Sequence, residues 1–333
     1  MARTIERMVR WRRYLWFVPL GALLGLAATI YLPWYAVGPG PARAVEPLIR
    51  FEDRARYESE GRFVLTSVRL TQLTGLGILL AWIDPDRRVV PREDLFAPGE
   101  DRQEERERSI SQMDSSKLDA TSVVMHELTA YPREHGDGVL IERVVQGCAA
   151  DGELFPGDRI LSIDGQEVDS YRQAKRVIEA TASGATLTFE LSVDGEPETA
   201  RLVREPCGGS EDPLVGVSMI NSFPFDVSIA SGGIGGPSAG LMWALGLYDL
   251  LTPVDLTGGR TVAGTGEIAL DGTVIPISGI GEKLEAAADA GASVFLVPEG
   301  NMDAARTSGD RGMELVPVAS LDDALAYLEG DSA

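Results

Sequence analysis

The sequence predicts an α+β protein: an N-terminal transmembrane helix, a β-rich module in the middle, and an α/β domain at the C-terminus. Three observations predict it. No charged residue occurs between Tyr14 and Ala42. Between 138 and 205, β-branched runs alternate with Asp-Gly turns around one helical stretch. From 214 onward, apolar runs of strand length alternate with stretches of helix length. The 333 residues suffice for two ordinary domains, and 44% apolar with 24% charged residues is a globular composition. A net charge of −21 argues against nucleic acid as a partner, because a phosphate-binding face needs concentrated Lys and Arg. Cys148 and Cys207 allow one disulfide, expected only if this region lies outside the cytoplasm. With His126 and His135 the only histidines, no metal site is expected.

The first element is the uncharged run. Residues 1–13 carry five arginines and one glutamate, a net of +4, so the remaining chain carries −25. A bilayer core needs about 20 apolar helical residues, and residues 14–34 supply them. Trp11, Tyr14, Trp16, Tyr31, Trp34 and Tyr35 sit near the two ends, where amphipathic rings favour the interface. The positive flank stays inside and places everything after Pro39 outside. The competing reading is a cleaved signal peptide ending at the "ARA" of 42–44. The run is long for a signal, and "ARA" lies well beyond its end. "VGPGPARAVEP" then reads as an extended linker.

"RFVLTSVRL" (62–70) alternates and reads as a strand; "TGLGILLAWI" reads as a short buried element. Residues 100–128 begin as a charge run, the pattern of a solvated helix face. The second half can bury Ile110, Met113, Leu118, Val124 and Leu128.

Residues 129–206 form the β-rich module. "DGVLIERVV" and "RILSI" are strands, Asp164-Gly165 and Asp194-Gly195 are hairpin turns, and "DSYRQAKRVIEATASG" is a helix. The stretch "GVLIERVVQGCAADGELFPGDRILSIDGQEV" resembles a PDZ domain of the bacterial protease-associated type. The resemblance implies a peptide added as a strand between Gly138, Val139, Leu140 and Ile141 and the helix carrying Ala174, Val177 and Ile178. The alternative is a module that only packs on its neighbour.

The C-terminal domain, 210–330, opens on "GGIGGPSAGLM". Ser238 there reads in three ways: a helix cap, a phosphate contact, or a nucleophile backed by helix-start amides. The phosphate reading fails in detail, since no G-x-x-x-x-G-K-[ST] exists in the chain. The small neighbours Gly235, Gly236, Ala239 and Gly240 would let a substrate backbone approach. A nucleophilic serine needs a base, and neither histidine lies in this domain. Among 30 basic residues only Lys117, Lys175 and Lys283 are lysines. Lysine can lose its proton when buried, whereas arginine cannot. Lys283, in "PISGIGEKLEAAADAG", is therefore either a base or a solvated helix lysine.

Together, "GGPSAGLMWAL" and "AGTGEIALDGTVIPISGIGEKLEAAADAGASVFLVPEGN" resemble the Lon-type proteolytic domain over 213–330. The resemblance implies Ser238 as nucleophile, Lys283 as general base, and Thr265 as the hydroxyl beside the lysine. Gly236, Pro237 and Ala239 would shape the oxyanion turn. Gly236, Ser278 and Gly281 depart from the commoner residues of that family. The order of anchor (1–45), pre-PDZ segment (46–128), PDZ module (129–206) and Lon-like domain resembles membrane-anchored PDZ–Lon-like proteases. The pre-PDZ strand at 62–70 is a candidate to complete the Lon-like sheet. The implied function is an ATP-independent serine endopeptidase outside the cytoplasm, without cofactor or nucleotide. It would act on peptides or unfolded exported proteins, as a homo-oligomer, hexameric by resemblance. The competing class is an inactive PDZ scaffold at the membrane.

Overall fold

A computed structural model describes residues 17–52, 54–81, 83 and 88–331. The chain divides into two compact units, Met1–Pro41 with Ser67–Asp101, and Ala42–Thr66 with Arg102–Ala333.

In the first unit, helix α1 (Phe17–Thr29) leads into strand β1 (Tyr31–Ala44), which pairs antiparallel with β4 (Arg88–Pro91). Strand β3 (Arg62–Thr74) runs through to helix α2 (Gly75–Ala81). Alternation along β1 puts Tyr35 and Val37 with Val90 and Phe96, and Ala36 with Leu73 and Ala81. Three expectations change here. The helix ends at Thr29 and residues 31–34 are strand, so the expected 14–34 span is not one helix; residues 14–16 lie outside the described residues. Among the described residues no helix is long and apolar enough to cross a membrane. The Gly/Pro-rich "linker" is largely strand. Gly40 permits this, because a Cβ there would sit 2.7 Å from the Ser67 backbone. And α2 is buried only at Ala81: Leu79 and Leu80 within it, and Ile83 beyond it, are exposed.

In the second unit, strands β14 (Thr261–Gly264), β17 (Val294–Pro298) and β18 (Glu314–Val318) are parallel. Residues 62–65 of β3 pair in parallel with β14. These strands are apolar on both faces, as a sheet covered on both sides requires. Phe63, Leu65, Val262, Val294 and Leu296 pack toward helix α5 (Gly240–Leu251) and the closing helix α8 (Leu321–Asp331). Val64, Ala263, Phe295 and Val297 pack toward helices α6 (Ile280–Asp289) and α7 (Met302–Ser308). Helix α5, apolar on all sides, is buried around Trp243. Helix α3 (Arg102–Leu128) is one continuous helix that from its middle onward buries Met113, Ala120, Val123 and Val124. Ile110, expected inside, is 42% exposed.

The PDZ-like module is an antiparallel sheet in the order β12-β5-β6-β8-β9 with helix α4 (Tyr171–Ala180). Its strands are β5 (Val139–Val144), β6 (Arg159–Ile163), β8 (Thr186–Val193), β9 (Glu196–Val203) and β12 (Val217–Asn221), with the short β7 (Gln166–Glu167) beside β6; the other short strands are β2 (Ile49–Phe51), β10 (Glu205–Pro206), β11 (Pro213–Leu214), β13 (Val227–Ile229), β15 (Glu267–Ile268) and β16 (Val274–Ile275). Asp164 and Asp194 take φ of 49° and 51°, each followed by a left-handed glycine, the backbone of a tight hairpin turn. The "PCGGSEDP" stretch, expected as a linker, is held by pairing of 205–206 with 213–214 and by a Cys148–Cys207 disulfide.

Candidate active site

The nucleophile turn follows from backbone chemistry. Gly236 has φ +84°, a conformation side chains avoid, and Pro237 cannot donate a hydrogen bond. The Gly240 amide then donates to Pro237 O at 3.2 Å, closing a turn over Ser238 and Ala239 before α5 begins. The strand end after β14 clamps this turn. Gly266 N–H donates to Ser238 O at 2.8 Å, and Leu241 N–H donates to Gly266 O at 3.0 Å.

Lys283 arrives from α6, whose buried face also carries Ile280, Leu284 and Ala287. Its Nζ lies 2.6 Å from Ser238 Oγ and 2.9 Å from Thr265 Oγ1. Thr265 Oγ1 donates in turn to Ser238 O at 2.9 Å. Lys283 is 2% exposed and Thr265 1%. Burial, with no carboxylate partner among the described residues, lowers the Lys283 amine to about 7. Its place in the first turn of α6 acts in the same direction, since the positive end of the helix dipole disfavours a cation. A neutral amine fits every contact: its lone pair accepts the Ser238 O–H and one N–H donates to Thr265. Ser238 makes no side-chain cap to α5, whose N-cap position is Ala239. The helix-cap reading therefore falls. The other two lysines are different: Lys117 pairs with Asp114 at 2.7 Å, and Lys175 lies 3.7 Å from Glu179.

Two details depart from the sequence reading. Gly236 cannot serve an oxyanion, because its amide already donates to Ser109 O on α3 at 2.7 Å. Among the described residues nothing accepts from the Ser238 and Ala239 amides, which leaves these two as the donors. The small residues also serve a different end. A Cβ on Gly235 would overlap Ser109 Oγ, and one on Gly240 would lie 2.9 Å from Ser116 Oγ. The smallness of Gly235 admits helix α3, and that of Gly240 admits both α3 and the Ile268 backbone, whose nitrogen would lie 2.8 Å from a Cβ there. Sequence reasoning missed Ser109 and Ser116, which sit more than a hundred residues upstream in a stretch that reads as a charge run. The glycines at 235 and 240 were the one available signal of a close neighbour.

The expected PDZ groove is also corrected. β5 pairs with β6 through Val139 and Leu140, and with β12 along Val139–Val144, so Val139, Leu140 and Ile141 border no open edge, and Gly138 precedes the strand with a φ of +75°. The edge strand is β12, which packs with α4. Ala174 and Ile178 are buried in the module's core, and Val177 is half-buried against it. Tyr171 N–H donates to Asn221 Oδ1 at 2.9 Å, tying the start of α4 to the end of β12.

A buried lysine with a lowered amine pKa, set against a serine at a helix start with unpaired amides beside it, is an arrangement suited to serine–lysine hydrolysis. Comparison with known proteins agrees. Residues 223–328 match the model of the Lon protease (S16) C-terminal proteolytic domain, and residues 121–203 match the PDZ domain model. The chain is 40% identical over 95 residues to a Lon protease of Azospirillum brasilense, covering 28% of this chain and 12% of that protein. It is 32% identical over 141 residues to Lon protease 2 of Bacillus subtilis (strain 168), covering 41% and 25%. It is 26% identical over 231 residues to a Lon protease of Rhizobium meliloti (strain 1021), covering 64% and 25%. The chain thus spans a quarter or less of the length of these relatives. A PDZ domain of an SdrC-like protein from Listeria innocua is 26% identical, covering 25% of this chain and 93% of that chain at a TM-score of 0.23. The chain carries a Lon-type proteolytic domain and a PDZ domain, and these matches support a serine endopeptidase.

Proposed function

We propose that this chain is an ATP-independent serine endopeptidase, anchored in a membrane, whose PDZ module selects peptides or unfolded exported proteins. The observation that carries it is Lys283 Nζ at 2.6 Å from Ser238 Oγ in a buried setting. Neutral Lys283 takes the Ser238 proton as Oγ bonds to the peptide carbonyl carbon. The carbonyl π electrons move onto oxygen, and the Ser238 and Ala239 amides hold that oxyanion. Protonated Lys283 then gives its proton to the leaving amine as the C–N bond breaks. Water, deprotonated by the same lysine, hydrolyses the acyl-enzyme and restores Ser238.

Independence from ATP is carried by the resemblance of the PDZ and Lon-like order to membrane-anchored PDZ–Lon-like proteases. Anchoring rests on the charge-free run from Tyr14 to Ala42 behind a +4 flank. It gains support from exposed apolar side chains in the same unit, among them Leu26, Tyr31, Trp34, Leu79 and Leu80. The Cys148–Cys207 disulfide suits an oxidising space beyond that membrane. Substrate selection would use the open edge of β12 beside α4, where an extended peptide can add as a further strand. Assembly into a ring, a hexamer, belongs to the same reading. The deciding test compares membrane fractions of cells expressing the wild-type chain or Ser238→Ala by mapping new protein N-termini, with and without ATP depletion. N-termini that depend on Ser238 but not on ATP support the proposal. Identical termini in both strains would leave the inactive scaffold.

A further inference from the structure

The dyad explains proton transfer but not what holds the oxyanion donors in place. Ser238 N–H belongs to the same peptide unit as Pro237 C=O, and in a trans peptide the two point in opposite directions. Whatever fixes Pro237 O therefore aims Ser238 N–H. Two groups fix it: the Gly240 amide at 3.2 Å, and Ser116 Oγ, which donates at 2.9 Å. The Gly240 bond is local and turns with the loop. Ser116 belongs to α3, a separate element packed against α5, where Trp243 Nε1–H meets Met113 Sδ at 3.4 Å. The same helix holds the Gly235–Gly236 peptide, two units upstream, through Ser109 O and Gly236 N–H. Ser116 is 1% exposed, so this hydroxyl is shielded from solvent and its bond to Pro237 O meets no competition from water.

We propose that Ser116 is a positioning residue for the acylation step: by holding Pro237 O it aims the Ser238 amide at the developing oxyanion. This rests on the serine–lysine reading above. Helix α3 is itself braced one turn further on. Asp119 is 3% exposed and meets Arg143 of β5 at 3.5 Å, beside Glu142. The element that aims the oxyanion donor is thus seated on the strand next to β12, a physical link between the PDZ sheet and the nucleophile.

The test uses the full chain and a dipeptidyl boronate. Ser238 Oγ adds to the trigonal boron, its proton passes to Lys283, and the tetrahedral boronate anion places an oxygen where the oxyanion would lie. Ser116→Ala is expected to weaken boronate affinity and casein turnover by about 10- to 100-fold, a part of what losing an oxyanion donor costs. The apparent ionisation of Lys283 in the pH profile should stay in place, because the dyad is untouched. Ser116→Thr, which keeps the hydroxyl, should recover most of the affinity. Unchanged boronate affinity in a folded Ser116→Ala protein overturns the proposal. Equal loss in Ala and Thr variants, together with a lowered melting temperature, overturns it in favour of a purely structural role. Failure of the wild-type chain to form an adduct that Ser238→Ala abolishes would instead remove the underlying dyad reading.

Discussion

The dyad and the peptide groove contrast instructively. Sequence motifs assign both to residues, and the structure treats them differently. Ser238, Thr265 and Lys283 meet within 2.9 Å. Val139–Ile141 instead lie on a strand whose two sides are already filled, with Gly138 just before it. The difference is one of range. The dyad needs a turn, a strand end and a helix from one continuous domain, each marked by glycine and by the rarity of lysine. The groove depends on which strand borders β5, and that strand, β12, is supplied from beyond the Cys207 loop. A motif names the residues that can do chemistry; strand neighbours are a non-local outcome.

The largest expected effect breaks the dyad side of the contrast. Lys283→Arg keeps the charge and cannot release a proton. Turnover of casein should fall by about 10²–10⁴ or more with an unchanged melting curve. A folded and active arginine variant would return Lys283 to an ordinary buried contact.

Next in size is the module side. Replacing both Cys148 and Cys207 by serine should destabilise the chain by about 2–4 kcal/mol in denaturant titration, since the bridge closes a loop of 59 residues. Boronate affinity at Ser238 should not move under native conditions. A joint loss would mean that module and dyad are one cooperative site.

Lys283→Met sharpens the contrast by exposing the cost of the site. The amine is lowered to about 7 in the folded chain from an ordinary 10.5. Between those values the unfolded chain binds the proton and the folded chain does not, so stability rises as pH rises. Methionine should therefore stabilise the protein by on the order of 1–4 kcal/mol at pH 7. The gain should shrink as pH approaches 10. Destabilisation at every pH would show that the lysine's hydrogen bonds outweigh its desolvation. The smallest effect belongs to α4: Val177→Arg should raise KM for a protein substrate several-fold while boronate affinity stays within about twofold.

Much of the fold was legible because period and turn chemistry act locally. The Asp164-Gly165 and Asp194-Gly195 turns, strand β3 and helices α4, α5 and α6 follow from nearby residues. What escaped depended on partners. The proline-rich stretch before Ala44 became strand because β4 and the Ser67 backbone lie beside it. The apolar α2 reads as buried, yet Leu80 is 60% exposed, because hydrophobicity alone does not say what covers a surface. Ser109 and Ser116 carried no motif, since a serine inside a charged helix is ordinary until a carbonyl or amide is placed against it.

The central claim is that Lys283 works as a neutral base on Ser238. The most direct measurement is the pH dependence of kcat/KM for casein or a fluorogenic peptide, from about pH 5 to 10. The dyad predicts activity that rises through a single ionisation near 7, where the buried amine loses its proton. Ser116→Ala and Val177→Arg should leave that midpoint in place. A profile flat across pH 6–9, or one that rises only toward lysine's free value of about 10.4, would contradict the account.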